Sequence, residues 1–270
     1  MVQRRPWLLF AIVLLGYLFL YVPIFSLIIY SFNASKLVTV WAGFSTRWYS
    51  KLFSNEALMD ALFNSLLVAA SAATIAVVLG TLTALGLTRL GRFRGRFLLS
   101  ALTSMPLVMP EVMLGLSALL LFVALEQTTG WPAHRGLLTI TIAHVTLCTC
   151  YVTVVVQSRL SQMDDSLEEA AMDLGARPWK VFMLITLPLI APSLLAGWLL
   201  AFTLSLDDLV VASFTSGPGA TTLPIQIYSK VKLGLNPEVN ALATLIIGFV
   251  TCALLLAAYA VRRGERARVG

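Results

Sequence analysis

Six apolar runs, each long enough to cross a bilayer, dominate this chain: about 7–31, 61–87, 97–125, 137–157, 184–213 and 239–261. A helix needs about 20 mostly apolar residues to traverse hydrocarbon, and the segments between the runs are too short to fold as a separate soluble domain. The expectation is an all-α, polytopic membrane protein with six transmembrane helices in a single transmembrane domain over residues 1–270. Composition agrees, with 59% hydrophobic and only 12% charged residues, far from the roughly quarter-charged norm of soluble domains. The first run follows Arg4 and Arg5 as in a signal peptide, but it is too long and lacks a small-residue cleavage site, so it reads as an uncleaved first span.

An even number of spans puts both termini on one side, and the basic residues say which. Thirteen of the nineteen Lys and Arg fall on the side of the termini, among them Arg89, Arg92, Arg94, Arg96, Arg159, Arg177 and Lys180. Cytoplasmic loops carry that excess, so the termini and the segment 158–183 are assigned to the cytoplasm. The net charge of +6 is thus mostly topology, and nucleic-acid binding is excluded. Trp41, Trp48, Tyr49, Trp131 and Tyr228 lie in the opposite loops, where aromatic rings rest at a membrane interface. Cys148, Cys150 and Cys252 have no CxxC spacing and read as small core residues, with no metal site expected. No internal repeat is visible, which weakens the case for a transporter built from duplicated halves.

The segment 158–183 carries five acids between Asp164 and Asp173, followed by Gly175, Pro178 and Pro188. Ser166 and Glu169 have capping-box spacing, so a short helix starts near Ser166. Gly175 suits the left-handed residue that ends it, and Pro178 suits the first turn of the next helix. Pro188 predicts a break or kink at the start of span five. Ala170 and Ala171 flatten one face beside Met172, Leu174 and Trp179. Two readings follow from the residues alone: a loop helix packed on its own bundle, or a helix that docks into a partner's groove.

Glu169, Ala170, Ala171 and Gly175, followed by Ile185, Leu187 and Pro188, resemble the EAA motif of bacterial ABC importer permeases at every fixed position. The resemblance implies the type I ABC importer permease fold and a coupling helix seated in a cytoplasmic ATPase. In that helix Glu169 makes polar contacts, Ala170 and Ala171 allow close approach, and Gly175 makes the turn. It also implies a second permease subunit, an ATPase dimer and an extracytoplasmic binding protein as partners, in a bacterial inner membrane. The chain lacks the phosphate-cradling G-x-x-x-x-G-K-[ST] loop. ATP and Mg are therefore expected on the partner ATPase, with no cofactor and no catalytic residue in this chain.

Acids inside spans cost about 2.5 to 3.5 kcal/mol each at the centre on insertion scales, and they face cavities or partners. Glu111, near the middle of span three beside Pro106 and Pro110, and Asp207 and Asp208, in span five, are the candidates for a substrate path. Successive helical residues point about 100° apart, so the two aspartates are not expected to face one pore. No Lys or Arg lies within a span, so the carboxylates have no intrachain basic partner at that depth. A cation is one candidate for the missing partner; the backbone or a second subunit is the other. The blocks 32–49, 202–219 and 236–246 are similar to those of polyamine permeases, the first most of all to putrescine-type subunits, which implies a diamine as the transported solute. An ABC permease for another solute, or an ion-gradient transporter, are the alternatives. Asn236, Pro237 and Glu238 have the pattern of a helix start for span six. The amphipathic stretch before them, 221–234, reads as an interfacial helix or a contact for a binding protein.

Overall fold

The computed structural model describes residues 6–37, 40–234 and 237–252. These are predominantly helical, with no strand among the described residues and one isolated antiparallel bridge between Asn33 and Phe44. Contacts divide the chain into two compact units, residues 60–226 and the flanking residues 1–59 with 227–270.

The larger unit holds most of α3 (Glu56–Arg89), then α4 (Arg96–Val108), α5 (Glu111–Thr129), α6 (Leu137–Leu160), α7 (Ser166–Asp173), α8 (Pro178–Val181), α9 (Leu187–Asp207) and α10 (Val210–Thr215). Its core joins Ala73, Ala76 and Ala84 of α3 to Cys148, Val152 and Val156 of α6 and to Ile190 and Ala201 of α9. Lipid gives helices no hydrophobic reason to associate, so small residues that let backbones approach carry the packing. Val152 shows how closely. A Cβ at Gly80 would lie 2.8 Å from its Cγ1, and one at Gly197 would lie 3.4 Å from the same atom. On the other flank, a Cβ at Gly115 of α5 would stand 2.6 Å from the Phe214 ring of α10. Cys148 and Cys150 are buried in this unit, as expected.

The smaller unit contains α1 (Pro6–Ser31), α2 (Arg47–Phe53), the C-terminal part of α11 (Leu223–Leu233) and α12 (Pro237–Cys252). The turn after α1 is organised by Asn33. Its Nδ2 donates to Val40 O at 2.7 Å, and its Oδ1 accepts from Ser35 N and Ala42 N at 3.1 and 2.9 Å. Trp48, expected at a membrane interface, is instead buried at 2% exposure and donates its indole N–H to Asn33 O at 2.6 Å. A buried indole needs an acceptor, and the turn supplies one. Pro237 opens α12 as expected, while Asn236 lies outside the described residues. Glu238 accepts from Asn55 Nδ2 at 2.8 Å and pairs with Lys230 at 3.4 Å.

Five described helices are long and apolar enough to span a membrane: Trp7–Ser31, Glu56–Arg89, Glu111–Thr129, Leu137–Leu160 and Pro178–Asp207. Span six is described only as α12, because residues 253–261 lie outside the described residues; Cys252, read from sequence as a core residue, is exposed there. Spans three and five depart from the expectation of continuous rods. Met109 and Pro110 take extended ψ values of 141° and 134°, which divides 97–125 into α4 and α5. A proline pushes the residue before it out of the helical region, which accounts for the division. Span five starts earlier than 184 and is interrupted at Asp208, where ψ is 124°. Pro188 causes no break. A π-helical turn, Phe182–Thr186, precedes it and closes with Leu187 N donating to Phe182 O, so the run from α8 into α9 stays helical.

One close approach in the larger unit leaves no room for any side chain. A Cβ at Gly217 would sit 2.0 Å from the carbonyl oxygen of Arg135, a backbone atom that cannot swing aside. Gly217→Ala is expected to cost about 2 kcal/mol. Thermal unfolding in detergent, followed by gel filtration, should show a midpoint roughly 5 °C lower; an unchanged midpoint would contradict the packing described here.

Candidate functional site

Glu111 and, about a hundred residues later, the adjacent Asp207 and Asp208 line one cavity of about 300 Å³ together with Tyr151, Leu147, Leu204, Leu209 and Val210. Each arrives by a break in a helix. Pro110 ends the extended stretch after α4, so Glu111 opens the first turn of α5 rather than lying mid-span. Its carboxylate therefore sits where helix N-termini favour negative charge. Asp207 is the last residue of α9, and Asp208 follows it in an extended conformation. The expectation that neighbouring aspartates point 100° apart fails here because the helix stops between them, and both line the same cavity.

The two aspartates nonetheless have different occupations. Asp208 is 8% exposed, and its carboxylate accepts from Val211 N at 3.3 Å and Ala212 N at 2.7 Å, satisfying the first amides of α10. A third donor comes from α6: His144 Nε2 lies 3.2 Å from Asp208 Oδ2, and its Nδ1 lies 2.6 Å from the Ser205 hydroxyl. A carboxylate only accepts, so Nε2–H donates to Asp208, and Nδ1 of a neutral ring accepts from Ser205. The expectation that these carboxylates lack an intrachain basic partner is thus corrected for Asp208. His144 is 64 residues away in sequence, and no motif or spacing marks it. Glu111 and Asp207 are exposed and have no ion pair among the described residues.

A second cavity, of about 220 Å³, lies between α4, α5, α6 and α10, lined by apolar groups such as Pro106, Leu114 and Phe122. Leu147 is a wall of both cavities.

The charged segment forms the helix–glycine–helix unit expected from its residues. None of α7 is buried. Gly175 has φ +86°, Gly175 N donates to Met172 O at 2.8 Å, and Ala176 N donates to Ala171 O at 3.1 Å. This pair of bonds is a Schellman ending, which requires the left-handed residue that glycine supplies. Pro178 takes the first position of α8. The start of α7 differs from the capping box: Asp164 Oδ1 accepts from Ser166 N at 3.0 Å, and Ser166 is inside the helix rather than before it. The Ser166 amide, and then its hydroxyl, hold the Asp164 carboxyl below the usual range. Glu169 and Ala170 are exposed and Ala171 is half-buried, flanked by Leu167, Met172, Leu174 and Trp179, which expose between 44% and 89% of their surface.

Removing Asp208 strands the His144 ring and two amides, whereas removing the charge of Asp207 strands nothing. By leaving these buried donors without an acceptor, Asp208→Ala is expected to destabilise the chain by about 3 kcal/mol, and Asp207→Asn by less than about 0.5 kcal/mol. Unfolding midpoints in detergent check the contrast; equal losses would mean that the Asp208 bridge contributes nothing.

The family described as binding-protein-dependent transport system inner membrane component matches residues 76–266. The putrescine transport system permease protein PotI of Escherichia coli strain K12 is 60% identical over 268 residues, 99% of this chain and 95% of the relative. The spermidine/putrescine transport system permease protein PotC of Haemophilus influenzae is 42% identical over 245 residues, 91% and 93% of the two chains. Among solved structures, a chain of a bacterial ABC transporter involved in import of the acidic polysaccharide alginate superposes with a TM-score of 0.71 at 16% identity, covering 97% of this chain and 98% of that one. A chain of an amino acid ABC transporter gives 0.56 at 19% identity, over 80% and 98%. The chain shares its fold with these ABC transporter chains, and the family match and the sequence relatives show that it belongs to the family of inner membrane components of binding-protein-dependent transport systems.

Proposed function

We propose that the chain is a permease subunit of an ATP-driven polyamine importer, with putrescine as its solute. The observation that carries the reading is the cavity in which Glu111 and Asp207 present two carboxylates while Asp208 is already engaged by His144 and the amides of α10. A diamine has two ammonium groups joined by methylenes. Its charges match the two available carboxylates, the Tyr151 ring offers a face for a cation, and Leu147, Leu204, Leu209 and Val210 line the rest of the wall. Acids at membrane depth cost a few kcal/mol each on insertion, so keeping two without a cationic partner among the described residues fits a site whose partner is the cargo. The names of the relatives, putrescine and spermidine/putrescine permeases, point to the same chemistry.

Under this reading the spans number six, both termini and α7 face the cytoplasm, and α7 seats the face that bears Ala170 and Ala171 in one subunit of an ATPase dimer. Glu169 makes polar contacts there, and the Gly175 turn sets the angle to α8. ATP and Mg belong to that ATPase, a second permease subunit completes the path, and an extracytoplasmic binding protein delivers the diamine. This chain makes and breaks no covalent bond; it alternates access to the cavity.

The test is uptake of labelled putrescine by the assembled complex in proteoliposomes. Glu111→Gln and Asp207→Asn should each lower uptake about tenfold, the equivalent of 1.4 kcal/mol, while thermal stability stays within about 0.5 kcal/mol of the parent. Uptake unaffected by both substitutions would remove the cavity from the path.

A further inference from the structure

Three elements of the larger unit meet at one carboxylate that the motif does not include. Glu168 stands one residue before Glu169, and Thr186 occupies the variable position between Ile185 and Leu187. Arg89, the last residue of α3, pairs through Nε with Glu168 Oε2 at 3.2 Å and donates from Nη2 to Glu168 Oε1 at 3.3 Å. Its other terminal nitrogen pairs with Asp165, the residue just before α7. Glu168 Oε1 also accepts from the Thr186 hydroxyl at 2.7 Å, and Thr186 is 3% exposed within the π-helical turn that leads into α9. The Glu168 side chain is itself only 16% exposed, whereas Glu169 is exposed. So α7 has two acidic faces: Glu169 turned outward, and Glu168 turned onto its own chain.

We propose that Glu168 is a positioning residue of the coupling helix, clamping α7 through Arg89 to the end of α3 and through Thr186 to the π turn before α9. A push on the exposed face of α7 then displaces α3 and α9 with it, instead of tilting a helix that is otherwise unburied. Both bonds are charge-assisted and sheltered, and such bonds are stronger and more directional than exposed neutral ones. The proposal rests on the reading of α7 as the helix gripped by the ATPase. It adds that the transmission is carried by residues outside the motif.

The experiment uses the complete complex with its binding protein in proteoliposomes and measures labelled putrescine taken up per ATP hydrolysed. E168A and R89A should each lower that ratio about fivefold, at the lower end of coupling between sites, with hydrolysis retained. The R89A/E168A double variant should be no worse than the more affected single one, because the two residues act as one unit. T186V should lower the ratio less. If E168A does not assemble, E168Q, which keeps the shape and an acceptor for Thr186 but not the charge, gives the same comparison with R89A. Uptake and hydrolysis falling together at constant ratio, or single losses that multiply in the double variant, overturn the clamp. A parent complex whose hydrolysis does not respond to putrescine and binding protein overturns the importer reading itself, a result independent of the variants.

Discussion

In hydrocarbon a backbone amide without a partner costs several kcal/mol, and that constraint decides where helices of this chain can stop. Within the larger unit two apolar runs are interrupted, and each interruption has its own remedy. At Met109–Pro110 the proline has no N–H to strand. At Asp208 the carboxylate takes up the amides of Val211 and Ala212, and His144 supplies a further donor from α6. A break so provided for is tolerated in a membrane only where it lines a cavity or is buried in protein, and both breaks border the same 300 Å³ cavity. The cavity is thus a consequence of how these helices end.

That arrangement separates structural from available charge. Asp208, buried and bonded on every side, stabilises the start of α10 and the junction with α6. Glu111 and Asp207 lie at the first and last turns of α5 and α9, exposed to the cavity and without an ion pair among the described residues. The energetic asymmetry is large: leaving a buried donor without its acceptor costs about 1 to 3 kcal/mol, whereas neutralising an exposed carboxylate costs little unless a ligand needs it. Aspartates adjacent in sequence therefore serve different ends, one holding the wall and the other facing the space.

Much of this was legible in the residues. The apolar lengths marked five helices long enough to span a membrane among the described residues, and Gly175 and Pro178 marked the turn after α7, because a left-handed residue and a missing N–H are local requirements that one residue type meets. What escaped was of two kinds. The interruption at Asp208 depends on a side chain competing with the helix for its own amides, and an apolar window does not register it. Pro110 was visible, but a proline in a long apolar run is also compatible with a kink, so the run was read as continuous. The second kind is long-range: His144 meets Asp208, and Arg89 meets Glu168, across 64 and 79 residues. Trp48 shows the same limit, since an aromatic in a loop reads as an interfacial anchor until Asn33 is found beneath it.

The two candidate functional surfaces, α7 and the cavity, are joined by one continuous element. From Pro178 to Asp207 the chain is helical for 30 residues, about 45 Å at 1.5 Å per residue. One end of this rod adjoins the Gly175 turn and, through Thr186, touches Glu168 of α7; the other ends at the cavity. Along the way Gly197 lets it press against Val152 of α6, and Trp198 donates to Thr74 of α3 at 3.1 Å. Close packing of this kind resists bending, so under the proposed coupling a displacement at the π turn would be carried along the rod toward Asp207. The π turn places its irregular hydrogen bonding at the foot of the rod, next to the clamp. The stretch between that foot and the cavity stays helical through Pro192, which is exposed. Under the proposed coupling, a rod that is helical throughout and closely packed along its length is what would carry motion at α7 to a site tens of ångströms away.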